Sequence, residues 1–252
     1  MIERRRWQAL RESQVVRSVF RVGVPRSARA RVAAIVSSFF LHIHPARLSA
    51  ASIRLRRTFC LGGLAFLAFL ILTVTGLLLM FYYRPTPERA YGDLEDLVHV
   101  VPYGSLLRNL HRWAAHAMVL LVIAHMARVF HAGAYRPPRE FNWVVGVFAL
   151  VSTLFLSFTG YLLPWDQLAY WAVTVGTNMS AAAPVIGAEG PFSLVGDGSD
   201  VRALLLGDRL VGAPGLLRFY VLHCVVVPFV AALLLAVHFY RVRRDGGVAA
   251  RY

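Results

Sequence analysis

The chain has 252 residues, of which 58% are hydrophobic and only 16% charged, against about 25% charged in an average soluble domain. That balance excludes an ordinary soluble enzyme and points to a membrane protein. The net charge of +14 raises nucleic acid as a partner, but no recognition motif accompanies the arginines and they lie outside the apolar segments, where membrane topology explains them.

In chain order, the first 57 residues carry 13 Arg. Val32, Ile35, Val36, Phe39, Phe40 and Ile43 follow helical spacing there. They predict an amphipathic helix lying on an anionic membrane surface, with a loosely ordered basic tail as the alternative. An apolar run after arginines can mark a signal peptide, but this one lies too far from the N-terminus.

Four segments then follow that can each cross about 30 Å of hydrocarbon, a task for roughly 20 residues. They are Thr58–Tyr82, Leu106–Phe130, Phe141–Leu163 and Leu216–Tyr240. The second has Arg108 and Arg112 near its start and Arg128 near its end, so its charges fall near the interfaces. Residues 58–246 thus form an all-α membrane domain of four helices, between a basic tail at 1–57 and a short tail at 247–252. The connection before the fourth segment is about 50 residues long, a length that usually marks a functional loop. It is rich in Gly, Pro and aromatics, and residues 166–180 are read as a short interfacial helix. Cys60 and Cys224 imply no disulfide framework.

Four spans put both termini on one side. The two tails and the turn after the second span hold 20 Arg against 4 acidic residues, while the other connections hold 7 Arg against 9 acids. The positive-inside rule therefore makes both termini cytoplasmic. All the basic residues are Arg and none is Lys, which suggests GC-rich coding and a bacterial inner (cytoplasmic) membrane.

Ionisable residues inside a membrane are costly and usually functional. The second span carries His111 and His125, 14 residues apart, and the fourth carries His223 and His238, 15 apart. At 3.6 residues per turn, 14 steps end about 40° short of whole turns and 15 steps about 60° past, so each pair faces one side of its helix. The second and fourth spans run the same way. His111 can then meet His223 near the outer face, and His125 can meet His238 nearer the cytoplasm. Two bis-imidazole sites at two depths suit two stacked low-spin haems in a four-helix bundle. A zinc ion would draw its ligands into one cluster, and single histidines could merely bond a neighbouring helix. His116 and His131 point elsewhere and are not counted as ligands. His42, His44 and His99 lie outside the spans.

A second interval matches the first. Gly62 and Gly76 in the first span, and Gly146 and Gly160 in the third, are also 14 apart. They leave room for something bulky at two depths, a porphyrin rather than plain helix packing. Arg108 and Arg112 at one depth and Arg128 at the other are candidate partners for haem propionates, against simple snorkelling.

These stretches resemble the cytochrome b family, most closely its cytochrome b6 branch: "FCLGG" at 59–63, "GLLLMFYYRPTPE" at 76–88, "LLRNLHRW" at 106–113 and "AHMARVFHAGAYRPPRE" at 124–140. "TGYLLPWDQLAYWAV" at 159–173, "APVIG" at 183–187, and "RFYVLH" through "VHFYRVRRDG" at 218–246 continue it. The 15-residue interval in the fourth span is the cytochrome b6 form. The resemblance implies a subunit of a quinol:cytochrome c (or plastocyanin-like acceptor) oxidoreductase of bc or b6f type, inactive alone. One quinol electron would go to a Rieske iron–sulfur protein. The other would cross through two b-haems to a second quinone site, coupled to proton translocation.

In family terms His111 and His223 match ligands of the low-potential haem, and His125 and His238 those of the high-potential haem. Tyr161, Pro164 and Trp165 match part of the outer quinol pocket, and Arg243 matches a basic residue near the inner quinone site. Cys60 matches the cysteine that holds an additional haem c through one thioether; a plain buried thiol is the alternative. The implied partners are the Rieske protein, a c-type cytochrome, the lipid membrane, a dimeric complex, and a subunit-IV-like chain with the missing Pro-Glu-Trp-Tyr motif. Two departures stand out. The segment before Cys60 lacks the acidic stretch expected of chloroplast cytochrome b6 and carries a long Arg-rich tail, and the chain stops after four helices. The rivals are a di-haem cytochrome anchoring a hydrogenase or formate dehydrogenase, a haem-free transporter using the histidines as a proton relay, and an electron conduit in a rearranged complex.

Overall fold

A helix whose residues are almost all apolar keeps every backbone N–H and C=O bonded within itself, which is what hydrocarbon demands. Four helices of this kind dominate the chain. The computed structural model describes residues 13–19, 27–36, 58–196 and 198–248, and among these it is all-α, with no strand. The short helices α1 (Gln14–Val19) and α2 (Ala28–Val36) come first. The spans are α3 (Leu61–Leu79), α5 (Gly104–His131), α6 (Glu140–Leu162) and the continuous run Ala213–Asp245. The connections carry α4 (Ala90–His99), α7 (Gln167–Ala181) and α8 (Val201–Leu206).

Within the last span, α9 (Ala213–Val221) passes through a π-helical turn, Leu222–Val226, into α10 (Val227–Asp245). A π-turn absorbs one extra residue. It therefore turns the 15-residue interval between His223 and His238 into the angular equivalent of the 14-residue interval between His111 and His125. A turn of this kind reduces the straight-helix phase of about 60° past whole turns.

The fold divides into two compact units. Of the described residues, one unit holds those within 63–121 and 151–231; the other holds those up to 62 together with 122–150 and 232–248. In the first unit Leu162, Val173, Leu206 and Phe219 form a buried cluster, with Trp165 and Phe158 packed against it. The long connection is therefore folded, not slack. Asp166 caps α7 by accepting from the Ala169 N–H at 2.8 Å, and Asp200 caps α8 through the Ala203 N–H at 2.9 Å, the usual use of aspartate at a helix start. The short helix read at 166–180 is α7. The helices α4 and α8 were not read from sequence.

Helix α4 is tied to the segment that follows α3. The Arg84 backbone N–H and guanidinium both donate to the Asp93 carboxylate, at 2.6–2.9 Å. This contact holds the buried Asp93 carboxyl below its usual pKa range. A side chain at Gly104, where α5 begins, would meet the Leu97 carbonyl at 1.9 Å, so only glycine fits that turn.

In the second unit, the N-terminal segment is seated on the span ends. The Ser18 hydroxyl accepts from the Phe141 N–H at 3.1 Å. Arg241, buried, donates to the Ser18 and Val19 carbonyls, lies over the Phe141 ring at 4.9 Å and pairs with buried Asp245 at 2.9 Å. Helix α2 covers the start of the amphipathic pattern, with Val32 exposed; Phe39, Phe40 and Ile43 lie outside the described residues.

Many large apolar side chains of the spans stay exposed, among them Leu67, Leu120, Phe148 and Phe229. Lipid is as apolar as they are, so burial against protein gains little there.

Candidate functional site: two facing histidine pairs

The geometry of the candidate ligands is the same in both units. His111 faces His223 with ring centroids 6.4 Å apart and planes at 72°. His125 faces His238 at 6.3 Å and 80°. A first-row metal ion held about 2.0–2.1 Å from one nitrogen of each of two opposed imidazoles places the centroids about 6.4 Å apart. Among the described residues no group of three or more His, Cys, Asp or Glu side chains gathers. Each site thus offers two imidazole donors from two helices, a number that would suit a metal held by a macrocycle.

The glycines sit against these rings. A Cβ at Gly160 would lie 2.6 Å from His223 Cε1, and one at Gly76 3.2 Å from His111 Cε1. In the other unit, a Cβ at Gly62 would lie 3.2 Å from His125 Cε1, and one at Gly146 3.5 Å from His238 Cε1. Gly62 and Gly76 of α3 each serve a histidine of α5, and Gly146 and Gly160 of α6 each serve a histidine of the last span. The atoms they admit are imidazole edges. Beside the first pair opens a cavity of about 130 Å³, lined by Phe69, Gly76, Met118, Cys224 and both histidines.

Sequence reasoning missed two hydroxyls. Thr75 Oγ1 lies 2.8 Å from His111 Nδ1, and Thr159 Oγ1 lies 3.1 Å from His223 Nδ1. Both threonines are buried. Each hydroxyl donates to a carbonyl of its own helix, that of Ile71 at 2.7 Å and that of Phe155 at 2.9 Å. The oxygen is then free to accept from the ring. The signal was present in the sequence, because each glycine of this pair is preceded by threonine, in Thr75-Gly76 and Thr159-Gly160. The glycines at the other pair follow Leu61 and Val145. There buried His238 meets no hydroxyl and faces the Asn142 backbone.

The remaining candidates fall as follows. Arg108 is half-buried, and Arg112 is exposed with its guanidinium 5.7 Å from the Trp113 ring. Arg128 is half-buried, 5.6 Å from the Phe59 ring. Tyr161 is exposed, whereas Trp165 packs on the buried cluster and edges the Tyr170 ring at 6.2 Å. Pro164 is half-buried between them in sequence. Arg243 is half-buried, with Nη1 enclosed and unbonded. Cys60 is exposed at the edge of α3. It and Phe59 have φ of 53° and 49°, a left-handed conformation that residues with side chains seldom adopt. His116 and His131 are exposed, beside Trp113 and Phe130 respectively.

Four membrane-length helices with two facing histidine pairs define a membrane cytochrome of the b type. Residues 47–246 match the family model described as cytochrome b/b6/petB. Cytochrome b6 of Heliobacterium mobile is 44% identical over 188 residues, covering 75% of this chain and 83% of that protein. Cytochrome b6 of Synechocystis sp. is 42% identical over 188 residues, covering 75% and 80%. Among solved structures, a chain of a hyperthermophilic respiratory complex III matches with a TM-score of 0.66 at 28% identity, over 86% of this chain. This chain spans about half of that one, 54% of its length. The chain belongs to the cytochrome b/b6 family. It is therefore an integral membrane, b-haem-binding protein of electron transport, from a family that works within bc-type complexes.

Proposed function

We propose that this chain is the haem-carrying cytochrome b subunit of a quinol-oxidising, proton-translocating complex of bc or b6f type. His111 and His223 hold one b-haem near the outer face, and His125 and His238 hold the second nearer the cytoplasm. The observation that carries this reading is the two opposed imidazole pairs, at 6.4 and 6.3 Å, each ring backed by a glycine. A bound haem would supply reversible one-electron chemistry at its iron.

The chain's own residues do the rest. The apolar spans keep water from the two sites. Arg108 and Arg112 serve the propionates at the first site and Arg128 those at the second. Tyr161, Pro164 and Trp165 contribute to an outer quinol pocket that a subunit-IV-like chain completes, and Arg243 stands by an inner quinone site. Both termini face the cytoplasm of a bacterial inner membrane. One electron leaves to a Rieske iron–sulfur protein and on to a c-type cytochrome. The other crosses through the two histidine sites, in a complex built as a dimer.

Cys60 is proposed to carry a third, covalent haem. Its thiol is exposed at the start of α3. Addition of the S–H bond across a haem vinyl group would form the thioether, with the hydrogen passing to the second vinyl carbon and no oxidant needed.

The test is the haem content of four alanine variants in the native membrane. His111→Ala and His223→Ala are expected to lose the same b-haem, and His125→Ala and His238→Ala the other. Retention of both haems in any one variant would refute the ligand assignment.

A further inference from the structure

The two histidine pairs share spacing, ring separation and a glycine behind each ring, but not the chemistry at Nδ1. Thr75 and Thr159 each stand one residue before a glycine of the His111–His223 site. Each hydroxyl proton is committed to the carbonyl four residues back, that of Ile71 or Phe155. The hydroxyl oxygen is thereby left as an acceptor, at 2.8 Å from His111 Nδ1 and 3.1 Å from His223 Nδ1. An oxygen in that role can be met only by an N–H. Both rings are then fixed as the Nδ1–H tautomer, with the Nε2 lone pair left for a metal. Leu61 and Val145 occupy the corresponding positions at the other site. They carry no hydroxyl, and His238 meets the Asn142 backbone there, as His223 also meets that of Leu156.

A ligating imidazole that donates its other N–H becomes more basic, and its ring orientation becomes fixed. A more basic ligand favours the ferric iron over the ferrous, and hydrogen bonding of this kind is one of the protein's means of setting a haem potential. We infer that Thr75 and Thr159 are positioning residues that fix the tautomer and ring planes of His111 and His223 and make the haem held there the harder of the two to reduce. The difference in potential between the haems is thus partly written in two threonines, and an electron at this site is driven toward the other. This inference rests on the b-haem assignment proposed above.

The experiment is a redox titration of the b-haems in native membranes, with the low-temperature EPR signals of the ferric haems, for Thr75→Val, Thr159→Val, the double variant and the matching Thr→Ser variants. Valine keeps the volume and removes the hydroxyl; serine restores it. In the double valine variant the potential of the His111–His223 haem is expected to rise by roughly a tenfold change in its reduction equilibrium, about 59 mV for one electron. Its EPR signal should move as the ring planes relax. The second haem should keep both values, and serine should restore the first. Repeating the titration in a His125→Ala background, which holds one b-haem, identifies which haem has moved. If the double variant fails to hold haem, the single variants read the same shift. Two haems with unmoved potentials and signals in the valine variants would overturn this inference alone. So would a shift that serine does not reverse, because packing and not the hydroxyl would then be responsible. A protein with no b-haem would overturn the assignment beneath it as well.

Discussion

The His111–His223 and His125–His238 sites repeat one plan with different tolerances. In the first, the space between glycine and imidazole is so small that a Cβ at Gly160 would come within 2.6 Å of His223, and hydroxyls engage both Nδ1 atoms. In the second, a Cβ at Gly146 would make an ordinary contact at 3.5 Å, and no hydroxyl stands at the matching positions. One site is backed by two hydroxyls; at the other His238 faces the Asn142 backbone. The lesson is that equal ligand spacing fixes where two metal sites fall, while the residue beside each glycine decides how they differ.

The largest effects should come from breaking the fit. Gly160→Ala is expected to lose most of the b-haem of the first site, because its methyl group cannot coexist with His223 in a ligating position. Gly76→Ala and Gly62→Ala, at 3.2 Å, should each lower the occupancy of their own site in part. Gly146→Ala should keep both haems. Difference spectra of reduced membranes, normalised to protein, read all four.

Helix phase is the next lever. Inserting one alanine between Leu234 and Leu235 turns His238 by about 100° relative to His223, and is expected to cost one b-haem. Deleting Val225 removes the extra residue that the π-turn absorbs and returns the span to a plain α-helix with a 14-residue interval. That deletion should keep both haems. Equal losses from insertion and deletion would show that the π-turn has no part in the register.

A smaller and more local effect is expected at the seat of α1. Arg241→Ala removes a buried ion pair, a change that costs about 3–5 kcal/mol where burial is complete, and with it the bonds to Ser18 and Val19. Trypsin should cleave at Arg17 faster in the variant, with the b-haem of His111 and His223 retained. An unchanged cleavage rate would mean that Arg241 does not hold α1.

Much of this was legible in the sequence, because hydropathy acts locally. The four spans and the helix after Pro164 follow from the apolar pattern, and the histidine and glycine intervals follow from helix geometry alone. Other parts depended on tertiary contacts. Helix α4 is a ten-residue polar helix held by Asp93 reaching back to Arg84, a pairing nine residues apart that no periodicity announces. The π-turn lies in Leu222-His-Cys-Val-Val226, whose composition is that of any membrane helix. The seat of α1 joins Ser18 to Arg241 across most of the chain. The threonine contacts fall between these cases, since the Thr-Gly pairs were visible but the rings they meet were not.

The most direct test of the central claim is the haem stoichiometry of the protein purified from its native membrane, by pyridine haemochrome spectrum. Two extractable b-haems per chain are predicted, and a haem-stained band on a denaturing gel would add the covalent haem at Cys60. A protein carrying one b-haem or none would contradict two bis-histidine sites, whatever its resemblance to the family.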